Sequence, residues 1–152
     1  MEHFALLLEF VAIFGAGMLA GEEFVVRYGI RGPLASLPDE PHIQMRQALI
    51  RTLRVLVPSI YVPTLLLSIV TTVALGIYGA FLFRCAAVAA LLLWMVVTLA
   101  GTAPINAAAL QWQMSAPPPD WRARVDRWEQ LNTVRTGLAV AAFMLLLLGA
   151  AA

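Results

Sequence analysis

Lysine is absent from the 152-residue chain, and cysteine and histidine are scarce. All ten basic residues are arginine, which excludes Schiff-base chemistry on a lysine amine. The single cysteine, Cys85, excludes an intramolecular disulfide and a Cys-x-x-Cys redox pair. The chain also has no glycine-rich phosphate loop and no Ser–His–Asp set. We therefore expect no nucleotide chemistry and no nucleic-acid partner.

Charged residues make up only 12% of the chain, against 61% hydrophobic residues. The hydrophobic residues form four stretches, at about 4–26, 55–77, 80–103 and 131–150, and about 20 apolar helical residues cross a bilayer. Because backbone groups in lipid must be satisfied within the span, these stretches predict an all-α, four-helix transmembrane bundle. Their unbroken apolar character excludes a membrane barrel, whose strands would alternate in polarity. We expect one integral membrane domain over residues 1–152.

The arginines predict the orientation of this bundle. Nine of the ten lie in or beside the first and third loops, whereas the second-to-third connection offers only Arg84. The positive-inside rule then places both arginine-rich loops in the cytoplasm and both termini outside. The predicted location is the inner (cytoplasmic) membrane, with the lipid bilayer as a partner. A homo-oligomer is compatible with the sequence.

The first loop contains more than a linker. Gly32-Pro33 predicts a break in the chain, and residues 36–41 predict a turn-rich segment. An amphipathic, arginine-bearing helix is predicted from about His42, lying at the membrane interface. Pro58 and Pro63 fall inside the second stretch, where each removes a helical hydrogen bond. A kink there would open a cavity between helices.

Two shorter patterns bear on packing. Gly17 and Gly21 have the small-xxx-small spacing that lets helix backbones approach closely in lipid. Asp120 stands at the N-cap position of the last helix, which is predicted to begin at Trp121.

Polar residues gather at the predicted cytoplasmic end of the bundle. Glu22 and Glu23 close the first stretch, Asn106 follows the third, and Asn132 and Arg135 open the fourth. Polar groups at a membrane boundary usually face the bundle interior or a partner, so we expect Glu23 and Arg135 to pair. In the alternative interpretation both carboxylates lie in water, and the neighbouring tryptophans form an interfacial belt.

The two histidines do not predict a metal or haem centre. His3 and His42 are expected on opposite faces of the membrane, so one protomer cannot bring both to one ion. Glu22, Glu23 and His42 are a weaker alternative, because no fixed ligand spacing such as Glu-x-x-His joins them. We expect no metal and no cofactor.

Four segments of the chain together resemble the anthrone oxygenase-like family of small four-helix membrane proteins, many of whose bacterial members have no known function. These are GMLAGEEF at 17–24, the proline-bearing stretch 55–68, Pro-Ile-Asn at 104–106 and WEQLNTVR at 128–135. The resemblance extends over nearly the whole chain. The family's fungal oxygenases use O2 to oxidise the activated methylene of an anthrone to a quinone carbonyl.

The resemblance implies a membrane-embedded, cofactor-independent oxygenase acting on a lipophilic aromatic or quinone-like small molecule. Positions matching the family's polar pattern are Asn106, Trp128, Asn132 and Arg135. In this interpretation Glu23 or Glu22 is the base, made more basic by burial. Arg135 and Asn106 would stabilise the enolate oxygen.

Substrate contacts are expected from aromatic side chains near the same end. Trp112 and Trp128 would hold the flat rings, with Gln111 beside them. The alternative class is a non-catalytic membrane protein that binds a small lipophile or serves as a subunit of an assembly. A ligand-sized pocket with a polar constellation would favour the enzyme, whereas a solid, leucine-filled centre would favour the alternative.

Overall fold

The structure is a computed structural model that describes residues 2–76 and 80–152, and over these residues it contains helices and no strand. Within that part of the chain four helical stretches are long and apolar enough to cross a membrane: Phe4–Ala35, Asp39–Ala74, Phe81–Ala109 and Trp121–Ala151. We call them the first to fourth long helices. The predicted all-α class with four membrane-spanning helices is confirmed, and the protein is a multi-pass membrane protein. The predicted tight connection near residues 77–79 lies outside the described residues.

Two of the long helices contain a π-helical segment. The elements in chain order are α1 (Glu2–Phe24), π1 (Val25–Ile30), α2 (Arg31–Ala35), α3 (Asp39–Ala74), α4 (Phe81–Val97), π2 (Thr98–Thr102), α5 (Ala103–Ala109) and α6 (Trp121–Ala151). A π segment widens one turn of a helix and often marks a functional site. Residues of π1 and π2 line the same cavity, described below.

The break predicted at Gly32-Pro33 is wrong, because α2 runs through both residues. The chain turns at residues 36–38, within the predicted turn-rich segment, where Ser36 Oγ donates a hydrogen bond to the Pro33 carbonyl over 2.8 Å. This local bond gives the backbone an alternative to the next helical turn. The first long helix therefore extends well beyond the first hydrophobic stretch.

The amphipathic helix predicted from His42 exists, but it begins at Asp39 and is not a separate element. Pro38 occupies the N-cap, and Asp39 and Glu40 place negative charge in the first turn, where the helix dipole favours it. The helix then continues through Pro58 and Pro63 to Ala74. One long helix thus replaces the predicted interfacial helix and second span.

Close helix packing at Gly17 and Gly21, as predicted, is found at Gly17 only. A Cβ added at Gly15 would overlap Thr64 Oγ1, and one added at Gly17 would lie 3.1 Å from the Phe143 ring. At Gly21 an added Cβ would have no atom of the described residues within 4 Å. The tight approach of α1 to α3 is therefore at Gly15, two residues before the predicted pair of Gly17 and Gly21.

The last helix begins at Trp121 as predicted, but Asp120 does not cap it with its side chain. Asp120 Oδ2 instead accepts a hydrogen bond from Arg124 Nε over 2.8 Å. Helix α6 packs along α4 and α1, and α1 also packs along α3. The buried core between them contains Leu19, Tyr61, Leu91, Trp94 and Ala139.

Arg84 lies in α4 and is buried, so its assignment to a connecting loop is wrong. Its Nε donates to Glu9 Oε1 over 2.7 Å, and the two side chains are 9% and 5% exposed. Its Nη2 also donates to the Gly149 carbonyl over 3.3 Å. This ion pair joins α1, α4 and α6 near the termini, away from the cavity.

Candidate active site

A cavity of about 550 Å³ lies between the four long helices, at the end where π1, α2 and π2 are found. Its walls are mostly apolar, and its charged lining residues are Glu22, Glu23, Arg31, Arg46, Arg54, Glu129 and Arg135. A largely apolar pocket of a few hundred cubic ångströms with a few convergent polar groups is typical of small-molecule sites. The centre of this end is therefore not a solid apolar core.

Glu23 and Arg135 form a buried ion pair in the cavity wall. Glu23 Oε1 accepts hydrogen bonds from Arg135 Nη2 and, over 3.1 Å, from Trp94 Nε1. The Arg135 guanidinium lies 4.5 Å from the centre of the Trp94 ring, and Nη1 donates to Thr102 Oγ1 over 3.3 Å. Charge-assisted bonds and the ring face together hold Arg135 in one position.

Three aromatic rings line the same cavity. Tyr61 stacks on Trp94 with ring centres 4.6 Å apart, and its hydroxyl donates to the Leu91 carbonyl over 2.9 Å. The guanidinium carbon of Arg46 lies 5.0 Å from the centre of the Trp128 ring. Aromatic rings of this kind pack well against a flat aromatic ligand.

A second group of charges surrounds Glu129. Arg46 Nη2 lies 3.5 Å from Glu129 Oε1, and Arg31 Nε lies 3.4 Å from Oε2. Glu129 and Arg46 are buried, whereas half of the Arg31 side chain is exposed. The Glu129 carboxylate therefore forms ion pairs with both Arg31 and Arg46.

Several buried polar atoms of the lining residues have no hydrogen-bond partner among the described residues. They are Glu22 Oε2, Glu23 Oε2, Arg46 Nε, Asn106 Oδ1, Trp128 Nε1, Glu129 Oε2, Asn132 Nδ2 and Arg135 Nε. Buried polar groups are nearly always paired, so their concentration around one cavity requires an explanation. A bound ligand or ordered solvent in the cavity would supply the missing partners.

Most of the residues selected from the sequence line this cavity: Glu22, Glu23, Asn106, Trp128, Asn132 and Arg135. Trp112 and Gln111 do not. Because α5 ends at Ala109, the chain leaves the helix axis before reaching them. Trp112 is buried in a separate hydrophobic cluster, where its ring centre lies 6.2 Å from that of Trp121. Gln111 is exposed.

The sequence interpretation missed Tyr61, Trp94, Arg46 and Glu129 as lining residues. A signal for Trp94 was present, because Trp94, Thr98 and Thr102 recur every four residues in an otherwise apolar helix. Polar residues at helical spacing within a span usually face the bundle interior. Arg46 belongs to the amphipathic helix that the sequence predicts at the membrane interface, where basic side chains face lipid headgroups rather than a cavity.

His42 lies outside the cavity lining, with its ring 5.2 Å from that of Trp121. In the described part of the chain no three His, Cys, Asp or Glu side chains come together as metal ligands would. The side chain of His3 lies outside the described residues.

Comparison with known proteins gives one match. The model of the family described as anthrone oxygenase matches residues 48–145. This range contains Asn106, Trp128, Asn132 and Arg135, whereas Glu22 and Glu23 precede it. No protein of curated function and no solved structure shows a significant match.

Proposed function

The chain belongs to the anthrone oxygenase family, and on this premise we propose that it is a membrane-embedded oxygenase for a lipophilic aromatic or quinone-like small molecule. The observation that supports the proposal most is the cavity of about 550 Å³ around the Glu23–Arg135 pair. Its aromatic walls suit a flat, apolar substrate. A solid, leucine-filled centre, which would favour a non-catalytic subunit, is not found at this end of the bundle.

The proposed reaction converts an activated aryl CH2 and O2 into a ketone and water. A carboxylate takes one proton from the carbon, and the resulting carbanion passes electrons to O2 and forms a C–O bond. Protonation gives a hydroperoxide. Loss of the second C–H proton then breaks the O–O bond, forms the C=O bond and releases water. O2 is the only oxidant, and the step needs no reductant.

Glu22 is the better placed of the two carboxylates to act as the base. Glu23 Oε1 already accepts hydrogen bonds from Arg135 and Trp94, so this carboxylate holds Arg135 in place. Glu22 is half-buried, lines the cavity, and has no partner for Oε2 among the described residues. We therefore assign proton abstraction to Glu22 and the positioning of Arg135 to Glu23.

The developing enolate oxygen needs donors that are already in place. Arg135 Nε and Asn132 Nδ2 are buried donors of lining residues, without a partner in the described part of the chain. Fixed donors in a site that excludes water stabilise negative charge more than water does. Asn106 presents Oδ1, an acceptor suited to a ligand hydroxyl.

The proposed substrate reaches the site from the bilayer. Val62 of α3 and Leu99 of π2 line the cavity and are also exposed, at 49% and 64%. The cavity therefore extends to an apolar part of the surface between the second and third long helices. A lipophilic molecule dissolved in the membrane would pass there without crossing water.

We place the protein in the inner membrane with both termini outside and the cavity at the cytoplasmic end. Arg31, Arg46 and Arg54 line the cavity, and the third-loop arginines lie at the same end. Reporter fusions at the C-terminus and in the third loop will test this orientation. If a reporter that works only in the cytoplasm is active when fused to the C-terminus, the proposed orientation is wrong.

Oxygen consumption with anthrone in lipid nanodiscs tests the proposed activity. The wild-type protein is expected to consume one O2 per quinone formed, above the background oxidation in empty nanodiscs. With ¹⁸O2 the new carbonyl should contain one labelled oxygen. Gln111→Ala, an exposed position outside the cavity, is the control that should retain the wild-type rate. If the protein binds anthrone but consumes no oxygen, the proposed activity is wrong and the protein is a non-catalytic binder of lipophiles.

The same assay across a pH series tests Glu22. Only the ionised carboxylate accepts a proton, so the wild-type rate should rise with pH and level off once Glu22 is ionised. Glu22→Gln should lose most of the rate and that rising limb, because an amide cannot take the proton. A Glu22→Gln variant with the wild-type profile would remove Glu22 from the mechanism.

A further inference from the structure

Six of the seven charged residues that line the cavity form two groups, one acidic and one basic, and the seventh, Arg54, is exposed. In the first, Glu23 pairs with Arg135, and the neighbouring Glu22 has no ion-pair partner among the described residues, which leaves one carboxyl group in excess. In the second, Arg31 and Arg46 share the single carboxylate of Glu129, which leaves one positive charge in excess. We call these the acidic pole and the basic pole. Arg31 is half exposed, whereas Arg46 is buried, and a buried charge is costly unless a partner balances it.

Arg46 is the central residue of the basic pole. Its side chain is 6% exposed, and its contact with Glu129 is a loose 3.5 Å. Its Nε is buried without a partner among the described residues, and so is the indole Nε1 of neighbouring Trp128. Both are donors, so this pole offers hydrogen bonds to an acceptor, and preferably to an anion.

The two poles are separated along α6. Glu129 and Arg135 are six residues apart, which corresponds to about 9 Å of helix rise. That distance approximates the long dimension of a fused three-ring aromatic molecule. Asn132 lies between them on the cavity wall, and Trp128 lies beside the basic pole. One flat molecule can therefore reach both poles.

We propose that Arg46 binds an anionic oxygen group on an outer ring of the substrate, a carboxylate or an ionised phenol, away from the carbon that is oxidised. The proposal rests on the proposed function and narrows its substrate class to acidic aromatic lipophiles. The acid group occupies the basic pole, and the reacting carbon lies beside Glu22 at the acidic pole. A neutral hydrocarbon of the same shape leaves the basic pole unbalanced and binds more weakly.

The test compares two unreactive probes with the same rings, anthraquinone-2-carboxylate and anthraquinone, by quenching of tryptophan fluorescence in nanodiscs of zwitterionic lipid. Arg46→Gln should weaken binding of the carboxylate by roughly tenfold to hundredfold, because it removes a charge-assisted hydrogen bond. Binding of the neutral probe should change by less than about twofold. Partition of each probe into lipid is the same for every variant and cancels in the comparison.

Two further variants make the result specific. Arg46→Lys keeps the charge and should retain most of the preference for the carboxylate. Arg51→Gln removes an exposed arginine of the same helix that does not line the cavity, and it should have no effect. Arg46→Gln leaves Glu129 paired with Arg31, so a folded variant is expected. Equal losses for both probes, or an unchanged Kd for the carboxylate, would overturn the proposal.

A lipid phosphate presents the same anionic oxygens, so the titrations are repeated with phosphatidylglycerol in the nanodiscs. Surface charge repels the carboxylate probe equally in all variants. Competition that appears in the wild type and disappears in Arg46→Gln would assign the basic pole to a lipid headgroup and overturn the assignment to substrate. Because neither probe is oxidised, this binding result stands or fails independently of oxygen consumption.

Discussion

Arg135→Gln is expected to lower the rate of oxygen consumption with anthrone by roughly 10²–10³-fold, the loss typical of removing one oxyanion donor. Arg135 Nε is a buried donor of the cavity wall, and no neutral amide at this position restores its charge. The measurement is kcat and KM in nanodiscs at the pH optimum of the wild type. The loss should fall on kcat, because the donor acts on charge that develops in the transition state.

Arg135 also forms an ion pair with Glu23, so the stability of this variant must be measured beside its activity. Arg135→Gln leaves Glu23 buried without its charge partner, and such a change typically costs about 3–5 kcal/mol of stability. The double variant Glu23→Gln, Arg135→Gln removes both charges and should recover most of that stability while remaining inactive. Arg127→Gln, an exposed arginine on the same helix, should keep both activity and stability. A double variant with restored activity would show that Arg135 serves the fold alone.

The four spans and their helical class could be predicted because hydrophobic length is a local property of the chain. The Glu23–Arg135 pair could also be predicted, although each residue is on a different helix. Both are charged and stand at the same end of a span, and a low-dielectric interior leaves few alternatives to pairing them. The position and charge of these two residues were therefore enough to predict a contact between distant parts of the chain, with no knowledge of how the helices pack.

Other contacts depend on the rotation of a helix about its axis, which composition does not determine. The bond from Trp94 to Glu23 requires that α4 turn one particular face toward α1. Trp112 fails to reach the cavity because α5 stops at Ala109, an end that no proline or glycine marks. Arg84 lies near the start of the third hydrophobic stretch, where charge alone favours a place in the connection. Its burial follows from the pairing with Glu9 on another helix.

Arg84→Met is expected to destabilise the protein by about 3–5 kcal/mol, because it leaves Glu9 charged, buried and without its partner. It also removes the hydrogen bond from Arg84 Nη2 to the Gly149 carbonyl, which joins α4 to α6. The measurement is the free energy of unfolding in mixed micelles, by SDS titration. The rate of oxygen consumption by the folded variant should stay unchanged, because neither Glu9 nor Arg84 lines the cavity.

A double-mutant cycle separates the ion pair from simple loss of packing. If the buried charges are what matters, Glu9→Gln combined with Arg84→Met should be more stable than Arg84→Met alone, since no unpaired charge remains. Arg124→Met breaks the exposed pair with Asp120 and should cost less than about 1 kcal/mol. Equal losses in Arg84→Met and Arg124→Met would mean that Glu9 is neutral or solvated in the membrane. In that case the link between α1, α4 and α6 near the termini would depend on apolar packing alone.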